Sequence, residues 1–174
     1  MRSEVLACRT RCALFDFSFL ERAAIAGSSA QRVLEAFTRR SLAKLQIGEV
    51  RYALRVGSTG VLLADLTIWR TGPESYELMS GRREDVSDLL RLSAPDCCVM
   101  DLSAQTAVFA VQGPQSLDAL RGLGDMSAVA TLRYFEFCEA RLASVPCVIG
   151  RLGYSGEPGF EIIVNVELQA PLWN

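Results

Sequence analysis

The chain has 174 residues, half of them hydrophobic and 8% aromatic, with 18 basic against 20 acidic side chains. That length suits one domain or two small ones sharing a core, and the near-balanced charge excludes the basic excess of a nucleic-acid module. No apolar run is long enough to span a membrane, and the absence of histidine excludes imidazole acid–base catalysis, Ser-His and Cys-His nucleophile pairs and imidazole metal sites.

The N-terminus carries arginines at 2, 9 and 11 and lacks the long apolar core of a secretory leader. Ala13–Ser18 reads as the end of a strand and Arg22–Ala26 as a second strand stopped by Gly27. Ser28 and Ser29 offer an N-cap to a helix at 29–41, with Val33, Leu34 and Phe37 on its apolar stripe. Glu49–Val56 alternates charged and apolar residues, the period of a half-buried strand. The turn Gly57-Ser58-Thr59-Gly60 joins it to Val61–Arg70 as a β-hairpin, and Tyr76–Met79 adds a third strand. A polar helix follows at 82–92, stopped by Pro95.

The second half runs through similar elements with no sequence repeat. Cys98–Asp101 and Thr106–Val111 read as strands, Gly113-Pro114 opens a helix, Phe135–Val148 reads as a hairpin, and Ile162–Val166 closes the sheet. The expected class is α+β, with mixed or antiparallel sheets and packed helices. A subdivision near 95 is expected, with α+β units at 13–94 and 96–174. The closing stretch through Trp173 reads as the start of a helix whose apolar face has nothing left to pack into. The six cysteines, none in Cys-x-x-Cys spacing, read as reduced thiols, so a cytoplasmic protein is expected, or a mitochondrial-matrix one in a eukaryote.

Two stretches carry candidate chemistry. Arg151-Leu152-Gly153-Tyr154-Ser155-Gly156-Glu157-Pro158-Gly159-Phe160-Glu161 lies between apolar runs. It reads as a tight turn between buried strands, or as a ligand loop whose two carboxylates accept hydrogen bonds from a flat, amine-bearing ring. Asp65 sits in the apolar strand 61–69, where a carboxylate needs a partner or an exposed edge; Arg51 is one candidate partner. Asp16 and Asp101, each two residues before a serine, read as turn-capping acids. Gln112-Gly113-Pro114 is a strand-to-helix turn. Tyr52 and Tyr154 are the aromatics best placed in sequence to share a ligand.

These stretches together resemble the folate-binding aminomethyltransferases: the T-protein of the glycine cleavage system and the folate domains of sarcosine and dimethylglycine dehydrogenases. The resemblance is carried by Leu14–Ser18, Ile25–Ala30, Gly60–Leu66, Asp101-Leu102-Ser103, Val111–Pro114 and Arg151–Glu161. It extends over nearly the whole chain, 1–174, as a single folate-binding domain. It implies tetrahydrofolate as cofactor, and transfer of a one-carbon unit from an aminomethyl or iminium donor. Asp65 matches the acid beside the reactive pterin nitrogen, Glu157 and Glu161 match the loop carboxylates at the pterin edge, and Tyr52, Tyr154 and Arg151 complete the cofactor-binding set. No metal is implied. Hairpin 49–70 is thereby expected beside the 151–161 loop.

The chain also departs from the family pattern. Against the family pattern, the sequence is expected to lack most of the opening segment and the C-terminal barrel-like domain, which brings a basic residue to the folate tail. Phe19 stands where many members have histidine, and Ala64 where many have a second aspartate. The chain alone is therefore expected to bind reduced folate weakly. The implied protein partner is a lipoyl carrier protein or a flavin dehydrogenase subunit, with neither nucleic acid nor membrane. The alternative is a non-catalytic folate-binding subunit or truncated paralogue docking a flavin-dependent dehydrogenase or oxidase. An iron–sulfur maintenance branch of the same fold carries a cysteine before the loop tyrosine; here that residue is Gly153.

Overall fold

In a computed structural model of the chain, residues 2–92 and 94–173 are described. The chain opens with helix α1 (Arg2–Thr10) and strand β1 (Ala13–Asp16). Then come β2 (Glu21–Ala26), α2 (Ala30–Thr38), β3 (Val50–Val56), β4 (Leu62–Gly72), β5 (Ser75–Ser80), α3 (Arg83–Arg91) and β6 (Cys98–Asp101). The remainder is β7 (Thr106–Gln112), α4 (Ser116–Arg121), α5 (Ser127–Thr131), β8 (Phe137–Leu142), β9 (Val145–Gly150), β10 (Gly159–Asn165) and α6 (Ala170–Trp173). The α+β class expected from the sequence is what forms. Two compact units result: a continuous one, Phe19–Ala104, and a split one made of the residues up to Ser18 and those from Gln105 onward.

Each unit holds one five-stranded antiparallel sheet. In the continuous unit, strand alternation sends Ala53, Leu66, Ile68 and Leu78 to one face, where they pack with Leu34 and Phe37 of α2 and Leu89 of α3. In the split unit, Phe109, Val111, Ile149, Phe160 and Ile162 pack with Leu120 and Val129 of the short helices.

Several expected boundaries move for local reasons. Helix α2 ends at Thr38, three residues before the expected 41, because Arg39 takes a left-handed conformation (φ 53°) and the Glu35 carboxylate accepts from the Leu42 N–H. Ser29 occupies the N-cap position without a side-chain cap bond. Strand β10 begins at Gly159, not Ile162, because Gly159 and Phe160 already pair with Gln112 and Val111. Helices α1 and α5 were not anticipated; both are short, and neither shows a long apolar stripe.

The sequence shows no repeat, yet the topology does. The sheet orders are β3-β4-β5-β2-β6 and β8-β9-β10-β7-β1. They match strand for strand, and the fifth strand of each (β6, β1) immediately precedes in sequence the fourth strand of the other (β7, β2). The hydrogen bonds repeat as well. Ser103 Oγ accepts from the Arg22 N–H at 3.0 Å, and Ser18 Oγ accepts from the Val108 N–H at 3.1 Å. Each serine stands two residues after an aspartate that accepts from its N–H, both at 2.9 Å, which is the turn-capping expected of Asp16 and Asp101. The duplication lives in backbone pairing and not in side-chain identity, so no sequence period betrays it.

Candidate functional site

The correspondence pairs Gly27 (φ 118°) with Gly113 (φ 133°), each ending its unit's first long strand. A Cβ on either would lie 2.5 Å or less from a backbone oxygen, so both turns require glycine. Counting back from them, Arg22 corresponds to Val108 and Ala24 to Ala110. Opposite Ala24 stands Glu77, and opposite Ala110 stands Glu161. The two glutamates thus occupy one position in two copies of the sheet.

Their surroundings differ. Glu77 is ion-paired with the Arg22 guanidinium, which is only 3% exposed. Its other cross-strand neighbour is Trp69, buried, with its indole N–H bonded to Thr67 Oγ1 at 2.9 Å. Glu161 is 1% exposed, and its Oε1 has no hydrogen-bond partner. Val108 stands where Glu77 has its arginine, and Gly150 where Glu77 has its tryptophan. Burial without a cation pushes the Glu161 carboxyl up to about 7. Glu161 Oε1 is thus a buried acceptor with no hydrogen-bond partner of its own.

The segment joining β9 to β10, 151–158, is held from several sides. Gln112, fully buried, donates through Nε2 to Leu152 O at 3.2 Å and to Phe160 O at 3.5 Å, and its Oε1 accepts from Ser155 Oγ at 2.8 Å. A Cβ on Gly153 or Gly159 would come within 2.4 Å of this amide, so the two glycines make the slot it occupies. Arg9 of α1 donates through Nη1 to Glu157 Oε1 at 2.8 Å and to Ser155 O at 2.9 Å, and the carboxylate raises the guanidinium pKa further. Arg151 donates to Leu132 O at 2.7 Å and stacks its guanidinium 4.8 Å from the Tyr134 ring centroid. Tyr154 is 54% exposed and meets Phe17 edge-on at 6.2 Å. Of the residues expected for the cofactor, the split unit therefore gathers Tyr154, Glu157, Glu161 and Arg151. Glu161 lies on a strand, and Glu157 and Arg151 are engaged in holding the segment.

In the continuous unit, Asp65 and Tyr52 share one face of the β3–β4 hairpin. The register sets Leu54 opposite Asp65 and Tyr52 opposite Thr67, so the tyrosine is the acid's diagonal neighbour. The phenol pKa of Tyr52 is raised by partial burial first and then by the charge of the nearby Asp65 carboxylate. Arg51, the partner considered from sequence, lies opposite Ile68 and belongs to the other face. Asp65 has no acidic counterpart in the split unit, where Pro146 occupies its place by register.

The family model described as the GCVT N-terminal domain matches residues 1–174. The chain belongs to that family. Among its relatives, the aminomethyltransferase of Geobacillus thermodenitrificans is 33% identical over 177 residues, covering 99% of this chain and 48% of the relative. That of Thermus thermophilus is 30% identical, covering 98% and 50%. The glycine cleavage system aminomethyltransferase T of Bartonella henselae superposes with a TM-score of 0.83 at 27% identity, over 98% of this chain and 46% of that one. A chain of the heterotetrameric sarcosine oxidase of Corynebacterium sp. U-96 shares the fold, with a TM-score of 0.67 at 19% identity over 96% of this chain and 84% of that one. This GCVT N-terminal domain chain spans about half the length of the curated relatives it matches. Neither Arg9 nor the Gln112 side chain stood out in the sequence. The signal that could have found Gln112 is the pair Gly153 and Gly159, where a Cβ would meet its amide.

Proposed function

We propose that this chain is the tetrahydrofolate-binding part of an aminomethyltransferase-type enzyme, which moves a one-carbon unit from an aminomethyl or iminium donor onto tetrahydrofolate. The observation that carries the reading is the contrast between Glu77 and Glu161. In one copy of the sheet the acid meets a guanidinium from its own unit. In the other, the same acid keeps an unpartnered oxygen beside a glycine. The amino-pyrimidine edge of a pterin is guanidine-like, a row of N–H donors that suits a carboxylate acceptor.

In this reading Glu161 accepts from that edge, and Tyr154 and Tyr52 supply aromatic surface. Glu157 and Arg151 hold the segment that presents Tyr154. Tetrahydrofolate supplies the nucleophilic nitrogen that takes up the one-carbon unit. Asp65 acts as the acid–base group: its carboxylate takes the proton released from the reacting amine and stabilises the cationic donor, while the Tyr52 hydroxyl keeps it oriented. Cytoplasmic placement and a lipoyl carrier protein or flavin dehydrogenase subunit as partner belong to the same reading.

The test is to fill the site as the other unit fills its own. Val108→Arg places a guanidinium at the position from which Arg22 reaches Glu77. Calorimetry with tetrahydrofolate is expected to show binding by the wild-type chain, weakened about 10- to 150-fold in the variant, the loss of a charge-assisted contact. Equal affinity in a folded variant would remove Glu161 from the site.

A further inference from the structure

The hairpin joining the second and third strands of the sheet order, β4–β5 in one unit and β9–β10 in the other, takes two forms. In the continuous unit β4 ends at Gly72 and β5 begins at Ser75, a tight turn. In the split unit β9 ends at Gly150 and β10 begins at Gly159, and the intervening segment carries Tyr154 and Glu157. A longer glycine-bearing connection has more conformations to lose on ordering. Two side chains outside it restrict it. Gln112 bonds Leu152 O, Ser155 Oγ and Phe160 O, tying both ends and the middle to β7. Its counterpart beside the tight turn is Ala26, which has no such group. Arg9 bonds Ser155 O and Glu157 Oε1, tying the middle to α1.

The Arg9–Glu157 pair is half exposed on the arginine side, so it adds little to global stability. Its effect is local, on the one segment it bridges. We propose that Arg9 and Gln112 are positioning residues: together they fix the 151–158 segment in one conformation and so preset Tyr154 and the start of β10, which carries Glu161, for ligand. Glu157 acts through Arg9, not by touching ligand. The ligand half of this inference rests on the folate reading above; the ordering half does not.

Two measurements on the full chain separate them. Amide hydrogen exchange across 151–158 is expected to speed up about tenfold or more in Arg9→Ala and in Ser155→Ala, with the strands of both sheets unchanged. Ser155→Ala removes the partner of Gln112 Oε1 without opening a buried space at Gln112 itself. The charge swap Arg9→Glu with Glu157→Arg is expected to restore slow exchange, which a merely space-filling role would not produce. Calorimetry with tetrahydrofolate is expected to show affinity about tenfold weaker in Arg9→Ala and recovered in the swap. Wild-type exchange in both single variants, or a swap as fast as Arg9→Ala, overturns the positioning role. If exchange behaves as expected but the wild-type chain binds no tetrahydrofolate, the positioning role stands and the folate reading falls. If the chain binds and Arg9→Ala and Ser155→Ala bind equally well, the presetting of the ligand site is wrong.

Discussion

Glu77 and Glu161 stand at one position in two copies of one sheet, yet they have opposite fates. Glu77 faces Arg22 from two residues along the neighbouring strand and has Trp69 across from it on the other side. Glu161 faces Val108 and Gly150 and keeps an oxygen with no partner. The comparison teaches that a duplicated fold can give an acid a cation from its own unit in one copy and leave the same acid without a cation in the other. Asp65 makes the converse point. It lies on β4, and the matching place on β9 is Pro146, so the proposed chemistry belongs to one unit and the proposed recognition to the other.

The largest expected effect tests that division. Asp65→Asn keeps size and a carbonyl acceptor but removes the charge and the proton-accepting role. In the assembled enzyme, turnover is expected to fall about 10²- to 10⁴-fold, with tetrahydrofolate affinity nearly unchanged. A wild-type rate would return Asp65 to the role of a strand carboxylate.

The next two effects, each about 3 kcal/mol, carry opposite signs. Arg22→Met strips Glu77 of its cation. The expected loss of stability in denaturant titration is on the order of 3 kcal/mol, at the low end for a buried pair because Glu77 remains a quarter exposed. Glu161→Gln removes a carboxyl that burial has raised from 4.5 to about 7. The folded state holds this proton more tightly than the unfolded chain. The stability it confers is therefore full below about 4.5 and is lost as pH rises through about 7. At pH 8 the ionised wild-type acid costs up to about 3 kcal/mol, so the glutamine variant is expected to be more stable there and to lose that advantage by pH 4.5. Its affinity for tetrahydrofolate is expected to fall at the same time. A pH-independent difference between the two proteins would mean that Glu161 has a partner in solution.

The smallest effect concerns the Asp65 side of the comparison. Tyr52→Phe removes one partly exposed hydroxyl near Asp65, and about 1 kcal/mol or less of stability is expected to go with it. The rate is expected to drop by less than in Asp65→Asn. A larger loss of rate than that of Asp65→Asn would move the acid–base role to the phenol.

Much of this protein was determined by the sequence alone. Period-two alternation over Glu49–Val56, the Gly57–Gly60 turn and the Gly113-Pro114 break follow local steric and burial rules, so β3, the hairpin and the strand-to-helix turn formed where expected. The aspartates that cap Ser18 and Ser103 were equally legible, because an Asx turn closes within two residues. The family motifs in 60–66 and 151–161 also pointed to Asp65 as the acid and to Tyr52, Tyr154, Glu157, Glu161 and Arg151 as the cofactor-binding set, which remains a proposal. What only the tertiary structure decided involves residues far apart in sequence. The pairing of β1 with β7 and of β6 with β2, and hence the duplication, is a choice of partners across long loops that local pattern does not encode. Gln112 fills a slot between Gly153 and Gly159, and Arg9 reaches Glu157 from the opposite end of the chain. Glu161 belongs to a strand and not a loop because Gly159 finds Gln112 opposite it, and burial in the folded sheet pushes its carboxyl up to about 7.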